Sequence, residues 1–214
     1  MAKLVEEYSL WPTIINRYHL DLSKDSREAL VEQTKKHFPD VLTRGGTYNY
    51  FPKIKTHEAN SLKNEIIKTV NSDSEVRRFV NGYLPHLNQF GNPTVNLTLL
   101  SSWCFRQTSA NSLWSHSHTA TNYSIAYYLK KTTDTRLIFI DPRGAVNAPR
   151  KRNGKWADVR EGEHFEAWCF NPKEGEMFIF PSYLIHYSDD IETDDEKVVI
   201  SANFVLKELY EQEK

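Results

Sequence analysis

At Gly91-Asn92-Pro93 the chain changes period, and that change limits its possible folds more than any other feature. Upstream, apolar residues recur three and four apart. SKDSREALVEQTKKHF opens with Ser23 or Asp25 as a cap and sets Leu30, Thr34 and Phe38 on one face. THEANSLKNEIIKTV takes Thr56 as its cap and aligns Ala59, Leu62, Ile66 and Val70, and SDSEVRRFVNGYL aligns Val76, Phe79, Val80 and Tyr83. These stretches predict helices that each lay one stripe on a core. Downstream, TVNLTLLSSWCFRQ, NYSIAYYLK, TRLIFID, EMFIFP and KVVISANFVL are β-like by composition and alternation, with a weaker strand near 165–170. One more strand is expected in YSLWPTIINRYHLD, residues 8–21, and a turn at Gly45-Gly46. So many strands close most naturally as a two-sheet sandwich or jelly roll. The expected fold class is mainly β (α+β). The chain reads as a single domain, residues 1–214, with an N-terminal strand and supporting helices over 1–92 and a jelly-roll core over 93–207.

The bulk numbers remove several classes of function. Formal net charge is −1, so no global field draws in nucleic acid or anionic lipid. No nucleic-acid motif is present, and no apolar run approaches the length that spans a bilayer. The two cysteines, Cys104 and Cys169, form no C-x-x-C pair, which argues against a disulfide framework or zinc ribbon and for a reducing setting. MAKLVEEYSLWPT has acids within seven residues and no apolar core of a secretory leader. The expected localisation is cytoplasmic, with no membrane and no nucleic-acid partner.

The candidate chemistry lies in SLWSHSHTATNYSIAYYL. On a strand, residues two apart point to the same side, so His116 and His118 converge on one volume. A third ligand is available from His186, which follows the apolar strand 176–181 and a proline turn. Imidazole suits Zn, Fe, Cu or Ni, and three protein ligands leave positions open for catalysis. An H-x-H pair alone is weak evidence for a metal and is more often ordinary polar surface at a strand end. The other histidines (His19, His37, His57, His86 and His164) have no such partners and read as surface or helix residues.

Eleven residues past His186, Lys197 opens KVVISANFVL. Alternation puts Lys197, Val199, Ser201 and Asn203 on one face and Val198, Ile200, Ala202 and Phe204 on the other. The first face is either a polar floor near the metal, with Lys197 as a point charge for a carboxylate, or the solvent face of an edge strand. Spacing alone leaves both open.

Taken in order, these pieces resemble the Fe(II)/2-oxoglutarate-dependent oxygenases, most of all their prolyl-4-hydroxylase-like branch of phages and bacteria. LWPTII is similar to that branch's opening strand. SSWCF with Trp103, then H-S-H, Ser124 and Tyr127-Tyr128, resembles its H-x-H…S…YY signature. IDPRG at 140–144, GEMFIFPSYLIHYS and KVVISANF resemble its later elements. The resemblance covers about residues 9–206. It implies a double-stranded β-helix with iron near one open end. His116 and His186 fall on the two histidine positions of the usual His-x-Asp/Glu…His triad, and His118 takes the place of the carboxylate. Lys197 falls where the family binds the distal carboxylate of 2-oxoglutarate. Tyr128, Ser124 and Asn203 are further candidates for co-substrate contacts.

The implied activity is a hydroxylating dioxygenase that uses Fe(II), 2-oxoglutarate and O2 on a peptide or small-molecule substrate. Two other readings stand beside it: a three-histidine iron dioxygenase without 2-oxoglutarate, and a non-enzymatic jelly-roll binding module. Lys197 discriminates between the first two. The basic run PRKRNGKW, residues 149–156, is either a rim for an acidic or peptide substrate or a solvated loop. Arg143 is expected to face the site or brace its turn, Arg106 to line the mouth, and Trp103 and Trp114 to serve as core or pocket wall.

Overall fold

The computed structural model describes residues 13–38, 47–87, 95–108, 113–132, 134–142, 167–191 and 195–206. The helices begin where their caps predict. In α1 (Lys24–His37), Ser23 Oγ accepts from the backbone N–H of Ser26 at 3.1 Å. In α3 (His57–Ser72), Thr56 Oγ1 accepts from Ala59 N–H at 3.3 Å. Between them lies a short α2 (Tyr50–Lys53) that the periodicity does not announce. One residue, Asp73, separates α3 from α4 (Ser74–Leu87). Its Oδ1 accepts from the N–H groups of Glu75 and Val76, both at 2.9 Å. Its Oδ2 accepts from Asn16 Nδ2 at 2.6 Å and Tyr18 O–H at 2.7 Å. The helix cap therefore also ties α4 to the first strand.

The strands form two antiparallel sheets. The larger runs β1-β7-β4-β9-β3-β2, from β1 (Asn16–His19), β7 (Glu176–Pro181), β4 (Tyr123–Lys131), β9 (Lys197–Leu206), β3 (Leu97–Gln107) and β2 (Thr47–Tyr48). The smaller runs β6-β5-β8, from β6 (Ala167–Phe170), β5 (Leu137–Ile140) and β8 (His186–Ser188). A sequence-remote pairing order of this kind is the double-stranded β-helix expected of the chain. The first strand is shorter than its 8–21 span suggested: only Asn16–His19 pair, with Asn16 opposite Ile179. Residues 8–12, Gly45-Gly46, Arg143 and the 149–156 run lie outside the described residues.

Alternation along β9 sorts the core into two halves. Val198, Ile200, Ala202 and Phe204 join the cluster beneath the helices, with Leu30, Leu62, Ile66 and Val76. Val199 joins the cluster between the sheets, with Tyr128, Phe139, Phe178 and Phe180. The helical annex thus buttresses the outer face of the large sheet, and the small sheet covers its inner face. Gly175, at φ +82, makes the turn into β7; a Cβ there would meet the His19 ring at 2.7 Å. Among the described residues, no helix is long and apolar enough to cross a membrane.

Candidate metal centre

The three histidines come together between the two sheets. Their ligand atoms all lie within 4.8 Å of one another. Ring centroids are 4.4 Å apart for His116–His186 and 5.1 Å for each of the other two pairs. The convergence of His116 and His118 has a different origin from the one the H-x-H spacing suggests. The pair does not lie in a named strand. His116 makes an isolated antiparallel bridge with His186. His116 N–H donates to His186 O at 3.0 Å, and His186 N–H to His116 O at 2.9 Å. His118 N–H donates to Ser182 O at 2.9 Å. The segment is held against the turn before β8, and that docking aims both rings inward. His186, expected after a turn, itself opens β8.

Each ring is anchored by its outer nitrogen. His116 Nδ1 meets Trp114 O at 2.7 Å, and His186 Nδ1 meets Leu184 O at 2.9 Å. A carbonyl can only accept, so both Nδ1 atoms carry the proton and both Nε2 atoms offer a lone pair. His118 Nδ1 meets Asn203 Oδ1 at 2.7 Å and lies 3.0 Å from Ser124 Oγ. Burial pushes the His186 pKa down to about 3, helped by neighbouring His116. Burial also lowers that of His118, against the raising effect of the Asn203 hydrogen bond. Neutral imidazoles with inward lone pairs are the donor state a divalent metal requires, so the residues present fit an iron ion.

A pocket opens from these rings between the sheets. Trp103, Tyr128, Ser188, Lys197, Val199 and Ser201 are among its walls. Lys197 is 1 % exposed. Its Nζ donates to Thr135 Oγ1 at 3.3 Å and to Ser188 Oγ. Among the described residues it has no carboxylate in ion-pair contact. Burial, then repulsion from Lys131, lowers its pKa from 10.5 to about 7. An edge-strand surface lysine would show none of this: Lys197 pairs with Gln107 of β3 on one side and Lys131 of β4 on the other. Tyr128 stands on the same face of β4, buried, with its ring edge-on to Phe178. Burial raises its phenol pKa strongly, so the hydroxyl stays a donor.

Other expectations fall elsewhere. Ser124 and Asn203 sit behind His118, away from the Lys197 end; they hydrogen-bond to that ring and to each other, and Ser124 also meets Ser182 Oγ at 2.7 Å. Arg106 pairs with Glu196, which also binds Lys130 at 2.8 Å and Lys35 of α1 at 3.5 Å. It therefore braces the helix-facing side of the sheet and does not line the mouth. Trp103 packs edge-on against His118 at 5.0 Å, as pocket wall. Trp114 is 68 % exposed and contributes its carbonyl to His116. Sequence reading overlooked Ser188, Thr135 and Ser182. Ser188 could have been found, because H-Y-S places it two residues past His186 on the same strand face. No sequence signal marks Thr135.

Residues 101–203 match the model of a family described as "Putative 2OG-Fe(II) oxygenase". No curated protein matches the sequence. Among solved structures, iron-bound HygX from Streptomyces hygroscopicus superposes with TM-score 0.56 at 11% identity, covering 90% of this chain and 82% of its own. The non-heme alpha ketoglutarate dependent carbocyclase SnoK from nogalamycin biosynthesis gives 0.54 at 10%, covering 90% and 79%. The viral collagen prolyl hydroxylase vCPH from Paramecium Bursaria Chlorella virus-1 gives 0.50 at 11%, covering 93% and 96%. At such identities the likeness is one of fold. The sequence match falls on the stretch that builds the site, so residues 101–203 are similar in sequence to the 2OG-Fe(II) oxygenases, and the chain resembles these structures in fold.

Proposed function

We propose that the protein is an Fe(II)- and 2-oxoglutarate-dependent dioxygenase that hydroxylates a small molecule or a protein side chain. The observation that carries this reading is Lys197. A nearly inaccessible ammonium with no carboxylate in ion-pair contact among the described residues is costly to bury, and it shares a pocket with three inward-facing imidazoles. A dicarboxylate that reached from the metal to Lys197 would offset that cost.

In this reading His116, His118 and His186 hold Fe(II) through their Nε2 atoms. Lys197 receives the distal carboxylate of 2-oxoglutarate, with the Tyr128 hydroxyl as a further donor. Iron and 2-oxoglutarate together supply the oxidising chemistry: O2 is consumed, 2-oxoglutarate becomes succinate and CO2, and a substrate C–H becomes C–OH. The chain's own contribution is position and dielectric. Trp103, Phe180 and Phe139 surround the triad with aromatic surface and limit water there. The neutral triad leaves the metal one unit more positive than a triad with a carboxylate, which favours anionic ligands at the open positions.

The test is an anaerobic titration with Fe(II) and then 2-oxoglutarate. A visible charge-transfer band is expected in the wild type and should vanish in His116→Ala. Three histidines would also suit a dioxygenase that needs no 2-oxoglutarate. That reading predicts that Lys197→Ala leaves turnover intact, and it gives no reason for a buried lysine. Succinate release during a screen of peptides and small molecules then addresses the substrate.

A further inference from the structure

Two of the three ring anchors are backbone carbonyls, which almost any sequence could supply. The third is made of side chains. Asn203 Oδ1 lies 2.7 Å from His118 Nδ1 and 2.7 Å from Ser124 Oγ. Ser124 Oγ in turn lies 2.7 Å from Ser182 Oγ. The backbone carbonyl of Ser182 accepts the N–H of His118 itself. Ser124 and Ser182 are fully buried. One self-consistent donor order runs around this chain: the Ser182 hydroxyl donates to Ser124, and the Ser124 hydroxyl donates to Asn203 Oδ1 at 2.7 Å in preference to His118 Nδ1 at 3.0 Å. The second lone pair of Oδ1 then faces Nδ1–H of His118.

We propose that Asn203 is a positioning residue for the metal centre: its Oδ1, oriented by Ser124, holds His118 as the Nδ1–H tautomer with Nε2 turned inward. The inference rests on the reading of His118 as a metal ligand. It goes further in assigning to Asn203 and Ser124 a task at the outer edge of that ring, away from the co-substrate. The arrangement matters most at His118. The peptide N–H of His118 is fixed by Ser182, but its ring has no carbonyl to choose its tautomer. With the amide reversed, Asn203 would donate to Nδ1, the proton would move to Nε2, and the ligand lone pair would point away from the centre.

The experiment uses the full-length, metal-free protein and Co(II) as the probe, read by calorimetry and by the visible d–d spectrum. Nitrogen-15 spectra of the histidines report the tautomer. In the wild type, His118 is expected as Nδ1–H before metal is added. Asn203→Leu should lose ten- to a hundredfold in Co(II) affinity. Asn203→Asp, which can only accept, should restore wild-type affinity or exceed it. Affinity within twofold of wild type in Asn203→Leu would overturn the proposal. So would an equal loss in Asn203→Asp, or an Nε2–H His118 in the wild type. If Asn203→Leu does not fold, Ser124→Ala carries the test: several-fold weaker Co(II) binding is expected, and unchanged binding refutes the role. His118→Ala separates the two levels. Full affinity in that variant would sink the three-histidine centre itself; lost affinity there with an unaffected Asn203→Leu would sink only the positioning role.

Discussion

His116 and His186 exchange a pair of backbone hydrogen bonds, at 3.0 and 2.9 Å, while their rings stand 4.4 Å apart. The two ligands are thus fixed through main chain, which truncation of either side chain leaves in place. His116→Ala and His186→Ala are expected to fold and to lose metal binding. In the wild type, a metal at a hundred times its dissociation constant should stabilise the fold by about 2.7 kcal/mol. Thermal melts with and without Co(II) should show that gain in the wild type and none in either variant.

Lys197 offers a second test. Removing one partner of a buried charge pair costs roughly 2–5 kcal/mol in binding. Lys197→Ala should therefore raise the KM for 2-oxoglutarate by about thirtyfold or more, with little change in Co(II) affinity. Because the free ammonium has a pKa of about 7, the wild-type affinity for 2-oxoglutarate should weaken as pH rises above that value. Calorimetric titrations between pH 6 and 9 would show both effects.

The same residue leaves a mark on stability. Its folded pKa lies below the ordinary 10.5, so the unfolded chain binds the proton more readily between about 7 and 10.5. Stability of the metal-free protein should therefore rise with pH across that window, by up to about 1.4 kcal/mol per unit from this group. Below pH 7 the cost of the buried charge is present in full. Lys197→Met should be the more stable protein at pH 7, and its denaturation midpoint should lose this component of the pH slope.

Gly175 tests the scaffold apart from the chemistry. Its φ of +82 is unfavourable for a side chain, and a Cβ would press on the His19 ring. Gly175→Ala should destabilise by about 1–2 kcal/mol, since the exposed His19 ring can swing aside while the backbone strain remains. Co(II) affinity should be unchanged, because the turn lies at the far side of β7 from His186.

Much of this was readable in advance where a single regularity spans many residues. The alternation in KVVISANFVL separates the residues facing the pocket from those beneath the helices, and Ser23 and Thr56 mark their helix starts through one local hydrogen bond each. Features that depend on tertiary partners were not readable. His186–Ser188 is too short for a periodic signal and is a strand only because Leu137–Phe139 lies beside it. Arg106 looked like a residue of the barrel mouth because sequence does not disclose that Glu196, ninety positions away, would hold it on the other face. Ser124 and Asn203 were recognised as polar residues on the correct strands, but their direction depends on where the His118 ring lies.

The division of labour along β9 has a practical side for anyone wishing to retarget this protein. Its odd-numbered positions from 197 to 203 look toward the chemistry, and the even-numbered ones from 198 to 204 grip the helical scaffold. Libraries confined to Val199 and Ser201 would sample new pocket shapes while the wedge of Val198, Ile200, Ala202 and Phe204 keeps the barrel shut. Randomising the strand as a block would spend most of its variants on collapsed scaffolds.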